Sequence, residues 1–479
     1  MFGANKLTLE MNFIRTIFLI SLIAISTSTF AQQGGQIYKK YCAGCHGGNL
    51  EGNSASALTK KDFKYGRDQA GIFKNIKHGI PNTEMIGWRK FLNDNEINAV
   101  TQFILSFQNK KIEKKSVIPA TLITQAYVLK VEKLVTEGIK TPWGIEFLDK
   151  NRALFTEKAG KIRWLINGKL DPVEITGMPA THTKSSTGGF MDIALDPKYP
   201  VNGWVYLGFS QTNGDINDKN SAGMTKIICG RIKGHQWTNE QILFEVPDSL
   251  KIVGGDRWGC RLLFDKQGYL FFTIGDMGKA EDSQDLTRAT GKVFRIKPDG
   301  SIPDDNPFLQ VPGALPAIYT IGNRNVQGLS LNPLTGDLWA SEHGPRGGDE
   351  LNILKKGLNY GWPIVTYGVD YSGKVISDRS EKEGIEKPVT QWTPSIAVCP
   401  IEFSKSQLFK KWGNNLLVGA LGYEELQRLV IKDNKVTETE LLFKGFGRVR
   451  DIKTAPDGSV YVLLNRPDMI VRITPQSTL

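Results

Sequence analysis

RLLFDKQGYLFFTIGD, residues 261–276, is the stretch that decides the fold. A short apolar strand runs into a polar turn at Asp265 to Gly268, and a second strand rich in aromatics follows. The same phrase recurs at residues 144–165, 191–210, 328–342, 401–421 and 451–473, giving six copies at intervals of roughly fifty to seventy residues. Such strands cannot cover both faces alone; radial repetition buries each sheet against its neighbours and leaves little exposed edge. A sandwich also uses many strands, but it does not require six like phrases. The expectation is an all-β six-bladed propeller over residues 127–479.

Upstream the grammar changes. CAGCH at Cys42 to His46 is a C-x-x-C-H motif, in which Cys42 and Cys45 bond covalently to haem and His46 ligates the iron. Zinc is the rival, but no second Cys/Cys or His/His pair lies nearby to complete a tetrahedron. The pattern predicts a helix over 35–41 delivering the cysteines. GIPNTEM at 79–85 is a turn-rich loop ending in Met85, the single methionine between residues 32 and 115 and the natural thioether second axial ligand; His78 is the alternative. Asn93 or Asp94 starts a helix with Ile97, Val100, Phe103, Ile104 and Phe107 at helical spacing. Residues 32–109 resemble a small all-α class I cytochrome c domain. Residues 110–126, opening with Lys110-Lys111 and Lys114-Lys115 and passing Pro119, read as a linker. The chain is therefore expected to be multidomain.

Residues 1–31 read as an export signal, with Arg15 before the apolar run 17–25 and small residues leading to cleavage near Ala31. Glu10 suits such a leader poorly, and Met11 offers a later start. The run is short for a bilayer span, with a retained anchor as the alternative. Cleavage would release the protein into the periplasm or another exported, oxidising compartment.

The 479 residues leave room for two or three domains, and ordinary apolar and charged fractions argue against disorder and a membrane protein. The formal charge is +11, and residues 32–115 hold fourteen Lys/Arg against seven Asp/Glu. A basic surface there suits an acidic redox partner or respiratory electron acceptor, or at most peripheral membrane contact; a solvated face is the plainer reading. The basic residues lack interleaved aromatics, so no nucleic acid is expected. Cys229, Cys260 and Cys399 allow at most one disulfide, and each also reads as a small buried apolar residue.

Several propeller loops carry chemistry. GNRNVQG at 322–328 sets a guanidinium and an amide before a strand. SEHGPRGGDE at 341–350 combines carboxylates and carbonyls suited to Ca²⁺. GRVRD at 447–451 puts Arg448 and Arg450 on one face of an extended chain, a spacing suited to a planar polycarboxylate. Together with GGFMDIALDP (188–197), GDMG (275–278), KVFRIKPDGSIPDDNP (292–307), EHGPRGGDELN (342–352) and NYGWP (359–363), these loops resemble the PQQ-dependent soluble glucose dehydrogenase and aldose sugar dehydrogenase family from about Val135 to Arg472. The resemblance implies a six-bladed propeller that oxidises a sugar or polyol with PQQ. It implies Arg324 and Asn325 at the quinone's reactive edge and Arg448 and Arg450 on its carboxylates. Calcium would lie on the Gly344 and Pro345 carbonyls, and a second, structural calcium among Glu350, Tyr360 and Asp370.

Three positions depart from the family pattern. The general-base histidine falls on Arg257, which stays protonated and cannot be that base; Asp256, beside it, is the nearest replacement. A cofactor-contacting glutamine falls on Thr187 and a lysine on Gly422. Candidate bases are Asp256, His343 and His182, in that order. Two functions follow: a dehydrogenase that passes electrons to its own haem c, or a catalytically altered propeller that binds carbohydrate or a protein partner.

Overall fold

The computed structural model describes residues 33–48, 50, 55, 57–58, 66, 68–80, 85, 87–107, 118–184 and 187–479, apart from the side chains of Gly44 and Cys45. The expected export signal lies outside the described residues. No helix among the described residues is long and apolar enough to cross a membrane. The chain divides into two compact units.

The first unit is helical: residues 33–41, Ala43–His46, Gln69–His78 and Asp94–Phe107. Side chains fix the helix starts. The Asp68 carboxylate accepts from Gly71 N at 2.7 Å. Asn93 Oδ1 accepts from Glu96 N at 3.0 Å while Glu96 Oε2 accepts from Asn93 N at 2.9 Å, so two otherwise orphaned donors are satisfied reciprocally. Ile97, Val100 and Ile104 turn one face inward against Ile37, Tyr38, Ile72 and Ile76, as the helical spacing predicts.

The second unit is built of six antiparallel sheets. In ring order their innermost strands are Pro142–Phe147, Phe190–Leu195, Leu262–Phe264, Val326–Leu331, Val398–Phe403 and Arg448–Thr454. Each innermost strand packs against the next, and the sixth packs against the first. The six clefts between sheets are filled by six apolar cores. Alternation explains why the strands are apolar on both faces. Leu270, Phe272 and Ile274 enter the core toward the second sheet, whereas Phe271 enters the core toward the fourth.

The last sheet closes the ring. Its strands Arg448–Thr454, Val460–Asn465 and Met469–Thr478 are completed by Tyr127–Val135 and Thr121–Ile123. Within the linker expected over 110–126, Thr121–Ile123 is thus a strand of this sheet, while residues 110–117 lie outside the described residues. Ile118 and Leu122 are buried in the core between fifth and sixth sheets, and Leu122 pairs with Leu129. Apolar residues at alternate positions find an unpaired strand edge there, and this outweighs the neighbouring charge and proline.

At the centre, Arg261 ties the blades together. Its Nη1 lies 2.8 Å from Asp451 Oδ1 and 3.4 Å from Asp192 Oδ1. Its Nε donates to the Gln327 carbonyl at 2.6 Å, and Nη2 donates to the Arg450 carbonyl at 2.6 Å. Asp451 also accepts from Ile145 N, and Cys399 Sγ lies 3.7 Å from Nη2. All six innermost strands thus meet at one buried guanidinium or at its partners. Cys229, Cys260 and Cys399 are buried thiols that form no disulfide.

Candidate active site

In every sheet the start of the innermost strand pairs with the end of the second strand, for example Pro142 with Glu157 and Arg448 with Asn465. Two loops per blade therefore gather at one end of the ring: the entry to the first strand and the turn after the second. Thr187, Asp256, Arg257, Arg324 and Asn325 lie on entry loops, and Arg448 is the first residue of the sixth innermost strand. Lys158, Asp276, His343 to Gly348, Gly422 and Arg466 lie on second-strand turns.

Arg324 is buried, and its guanidinium sits 5.2 Å from the centroid of the Trp362 ring. Its backbone N–H donates to Glu342 Oε1 at 2.7 Å, and Nη1 donates to the carbonyls of His343 at 3.0 Å and Gly344 at 2.5 Å. Burial pushes the Glu342 carboxyl up to about 7 despite the neighbouring Arg324. Asn325 is buried, and its Oδ1 accepts from Gln327 Nε2 at 3.3 Å. His343 bonds to the Val398 backbone, and burial together with Arg324, Arg450 and Arg448 pushes its pKa down to about 3. His343 Nε2 and Arg324 Nε, both buried, find no hydrogen-bond partner among the described residues. The Val398 bond therefore comes from Nδ1, which leaves a neutral imidazole with its Nε2 lone pair open.

On the adjoining wall Asp256 Oδ1 accepts from Thr187 Oγ1 at 3.1 Å. Arg257 turns away into an ion pair: its Nε lies 2.6 Å from Asp276 Oδ1, and Asp276 Oδ2 accepts from Trp362 Nε1 at 2.9 Å. Arg257 and Trp362 are thus joined through the two oxygens of the Asp276 carboxylate. His182 is buried, its Nδ1 3.1 Å from the Ile216 carbonyl oxygen and its ring 5.9 Å from Trp258. Arg448 and Arg450 are half-buried. Burial and then Arg450 and Arg466 push Arg448 down to about 10, and burial likewise lowers Arg450. Arg450 lies 5.3 Å from the Trp143 ring centroid.

An anionic, planar, polar ligand fits this floor: cations crowd one another, and two buried polar atoms stand open. Calcium fits less well. The Gly344 carbonyl faces the Arg324 guanidinium, where a divalent cation would be repelled, and Pro345 is buried in the same turn. The Tyr360 hydroxyl is turned to the Ile353 carbonyl at 2.6 Å and the Lys355 N–H. Glu350 is half-buried opposite Glu342, and burial and that carboxylate push it up to about 8. Asp370 is half-buried on a separate loop. No group of three His, Cys, Asp or Glu side chains suited to a metal occurs among the described residues.

In the helical unit Cys42 is buried and His46 ends the short helix after it. Met85 packs against the same apolar cluster as Cys42, Ile72 and Leu92, with Tyr41, Leu58, Phe73 and Trp88 around it. An apolar wall bearing a thioether suits a haem edge. His78 ends its own helix. Lys158 and Arg466 also lie on turns at this end of the ring and were not singled out in the sequence. Each is a charged turn residue, and only strand pairing reveals that the turns converge.

Residues 139–472 match the family described as Glucose / Sorbosone dehydrogenase, and residues 29–104 match that described as Cytochrome C oxidase, cbb3-type, subunit III. Aldose sugar dehydrogenase YliI of Escherichia coli K12 is 35% identical over 353 residues, covering 72% of this chain and 93% of that protein. Quinoprotein glucose dehydrogenase B of Acinetobacter calcoaceticus is 26% identical, covering 70% and 84%. Among solved structures, the apo-form of soluble aldose sugar dehydrogenase from E. coli superposes with a TM-score of 0.67 at 32% identity, covering 73% of this chain and all of that one. The PQQ-bound aldose sugar dehydrogenase of Streptomyces coelicolor gives 0.57 at 25% identity, covering 72% and 98%. The chain belongs to the glucose/sorbosone dehydrogenase family, with a cytochrome c domain at its N-terminal side.

Proposed function

We propose that this dehydrogenase is an exported quinohaemoprotein that binds PQQ over the arginine floor, oxidises an aldose or related alcohol, and passes the electrons to its own haem c. The observation that carries the reading is the convergence of Arg324, Arg448 and Arg450 with the open atoms Arg324 Nε and His343 Nε2. When bound, PQQ supplies a quinone that accepts hydride from the sugar carbon and releases its electrons singly.

The chain's own residues do the rest. Arg448 and Arg450 hold carboxylates, whose charge relieves the repulsion between them. Arg324 polarises the reactive carbonyl edge from a buried position where its charge is poorly screened, beside Asn325. His343, kept neutral, accepts a hydrogen bond at Nε2. Asp256, oriented by Thr187, takes the proton of the sugar hydroxyl at a carboxylate oxygen. Calcium is given no step, because Arg324 holds the Gly344 carbonyl. In the cytochrome domain, taken as 32–109, Cys42 and Cys45 would hold a haem covalently and His46 and Met85 would ligate its iron, which would supply a one-electron acceptor. The basic face of that domain suits an acidic acceptor.

The test adds PQQ to haem-loaded protein and follows the haem spectrum while aldoses are supplied. Reduction of the haem is expected, and Asp256→Asn should abolish it while PQQ still binds. Haem that stays oxidised with every sugar tried sinks the reading. One observation favours a second function, a binding propeller: Arg257 is locked to Asp276 where the family carries a base. Calorimetry separates the two, since a pure binding module has no tight PQQ site.

A further inference from the structure

Lys158 lies on the turn between strands Arg152–Glu157 and Lys161–Ile166 of the first blade. A turn lysine ordinarily extends into water with its stem mobile. Here the backbone is stitched down on both sides: Lys158 N donates to the Thr141 carbonyl at 3.0 Å, and its carbonyl accepts from Phe190 N at 3.2 Å. The stem runs beside Gly189, whose φ is +131°. A Cβ at Gly189 would strike the Lys158 carbonyl and come within 2.7 Å of Lys158 Cγ. Gly189, lacking a Cβ, thus leaves room for the Lys158 stem.

The ammonium ends in a charged neighbourhood drawn from three blades. Burial, then Arg450, and more weakly Arg466 lower its pKa, while Asp256 opposes them. Arg450 and Arg466 belong to the sixth blade and Asp256 to the entry of the third. Arg448 feels the same two arginines. Four cations, Lys158, Arg448, Arg450 and Arg466, therefore converge, with Asp256 as the opposing carboxylate. Like charges gathered in a half-buried site are destabilising unless an anion joins them. Two arginines on one strand grip from one side only, and a planar tricarboxylate offers charge on several.

We propose that Lys158 is a further cofactor-binding residue, gripping a PQQ carboxylate from the first blade, beside the sixth blade that carries Arg448 and Arg450. This rests on the reading of the site as a PQQ pocket. The experiment titrates PQQ into haem-loaded protein, at low and high salt, for the unaltered chain, Lys158→Met and Lys158→Arg. The methionine variant should bind about tenfold more weakly and with a shallower salt dependence, because one screened charge has gone. The arginine variant should bind within about threefold of the unaltered chain. Unchanged affinity and salt dependence in Lys158→Met overturn the inference while leaving the pocket intact. Unchanged affinity with lost sugar turnover also overturns it, since Lys158 would then serve Asp256 alone. If the unaltered chain itself binds no PQQ, the functional reading fails, and this inference with it.

Discussion

On the proposed function, the helical unit and the propeller hold their redox groups in opposite ways. In the first, Cys42, Cys45 and His46 stand within five consecutive residues, and one helical turn sets their spacing. In the second, the residues at the mouth come from all six blades, from Lys158 in the first to Arg466 in the sixth. A local, covalent site depends on little beyond its own helix. A dispersed, non-covalent one depends on the closure of the whole ring.

The largest effect expected from that contrast is all-or-none. His46→Ala should eliminate the native c-type spectrum while leaving propeller unfolding, followed by tryptophan fluorescence, unmoved. A shifted propeller transition would break the comparison, because it would make the two units one cooperative body. Next comes the centre of the ring. Arg261→Leu leaves the Asp192 and Asp451 carboxylates buried without their cation and should cost about 3–5 kcal/mol in the denaturant midpoint of the propeller, with the haem spectrum preserved. A loss below about 1 kcal/mol would show that solvent reaches those carboxylates and that Arg261 is no hub.

The smallest effect is a pH dependence confined to the propeller. Burial raises Glu342 to about 7 and Glu350 to about 8, from an ordinary 4.5. Between the unfolded and folded values the native state holds more protons than the unfolded chain, so stability falls as pH rises through that window. The propeller should therefore be more stable at pH 5 than at pH 8. Glu350→Gln should flatten the slope, narrowing the difference in melting temperature by about 2 °C. An unchanged slope would mean that the Glu342 and Glu350 pair is already neutralised by a bound cation.

The same contrast explains what could be read in advance. CAGCH is legible because the chemistry and the spacing are one local fact, and the six strand phrases are legible because each strand repeats the same apolar alternation. Residues 121–123 were misread as linker because their role is to complete a sheet whose other strands lie at the far end of the unit. Arg257 was legible as unfit for a base, but its bond to Asp276 required the fold. Arg448 and Arg450 declared themselves by sharing a strand. Lys158 and Arg466 did not, since a lone charged residue in a turn looks solvated until strand pairing sets two such turns side by side.

The closing sheet has a consequence for the order in which the protein matures. Strands near residue 130 must wait for residues 448–478 before their edge is covered, and Arg448 and Arg450 arrive on those same late strands. On the proposed function, the CAGCH site can take its haem while the propeller is still an open ring, so a chain interrupted before its last blade would lack the arginine pair that is proposed to hold the quinone.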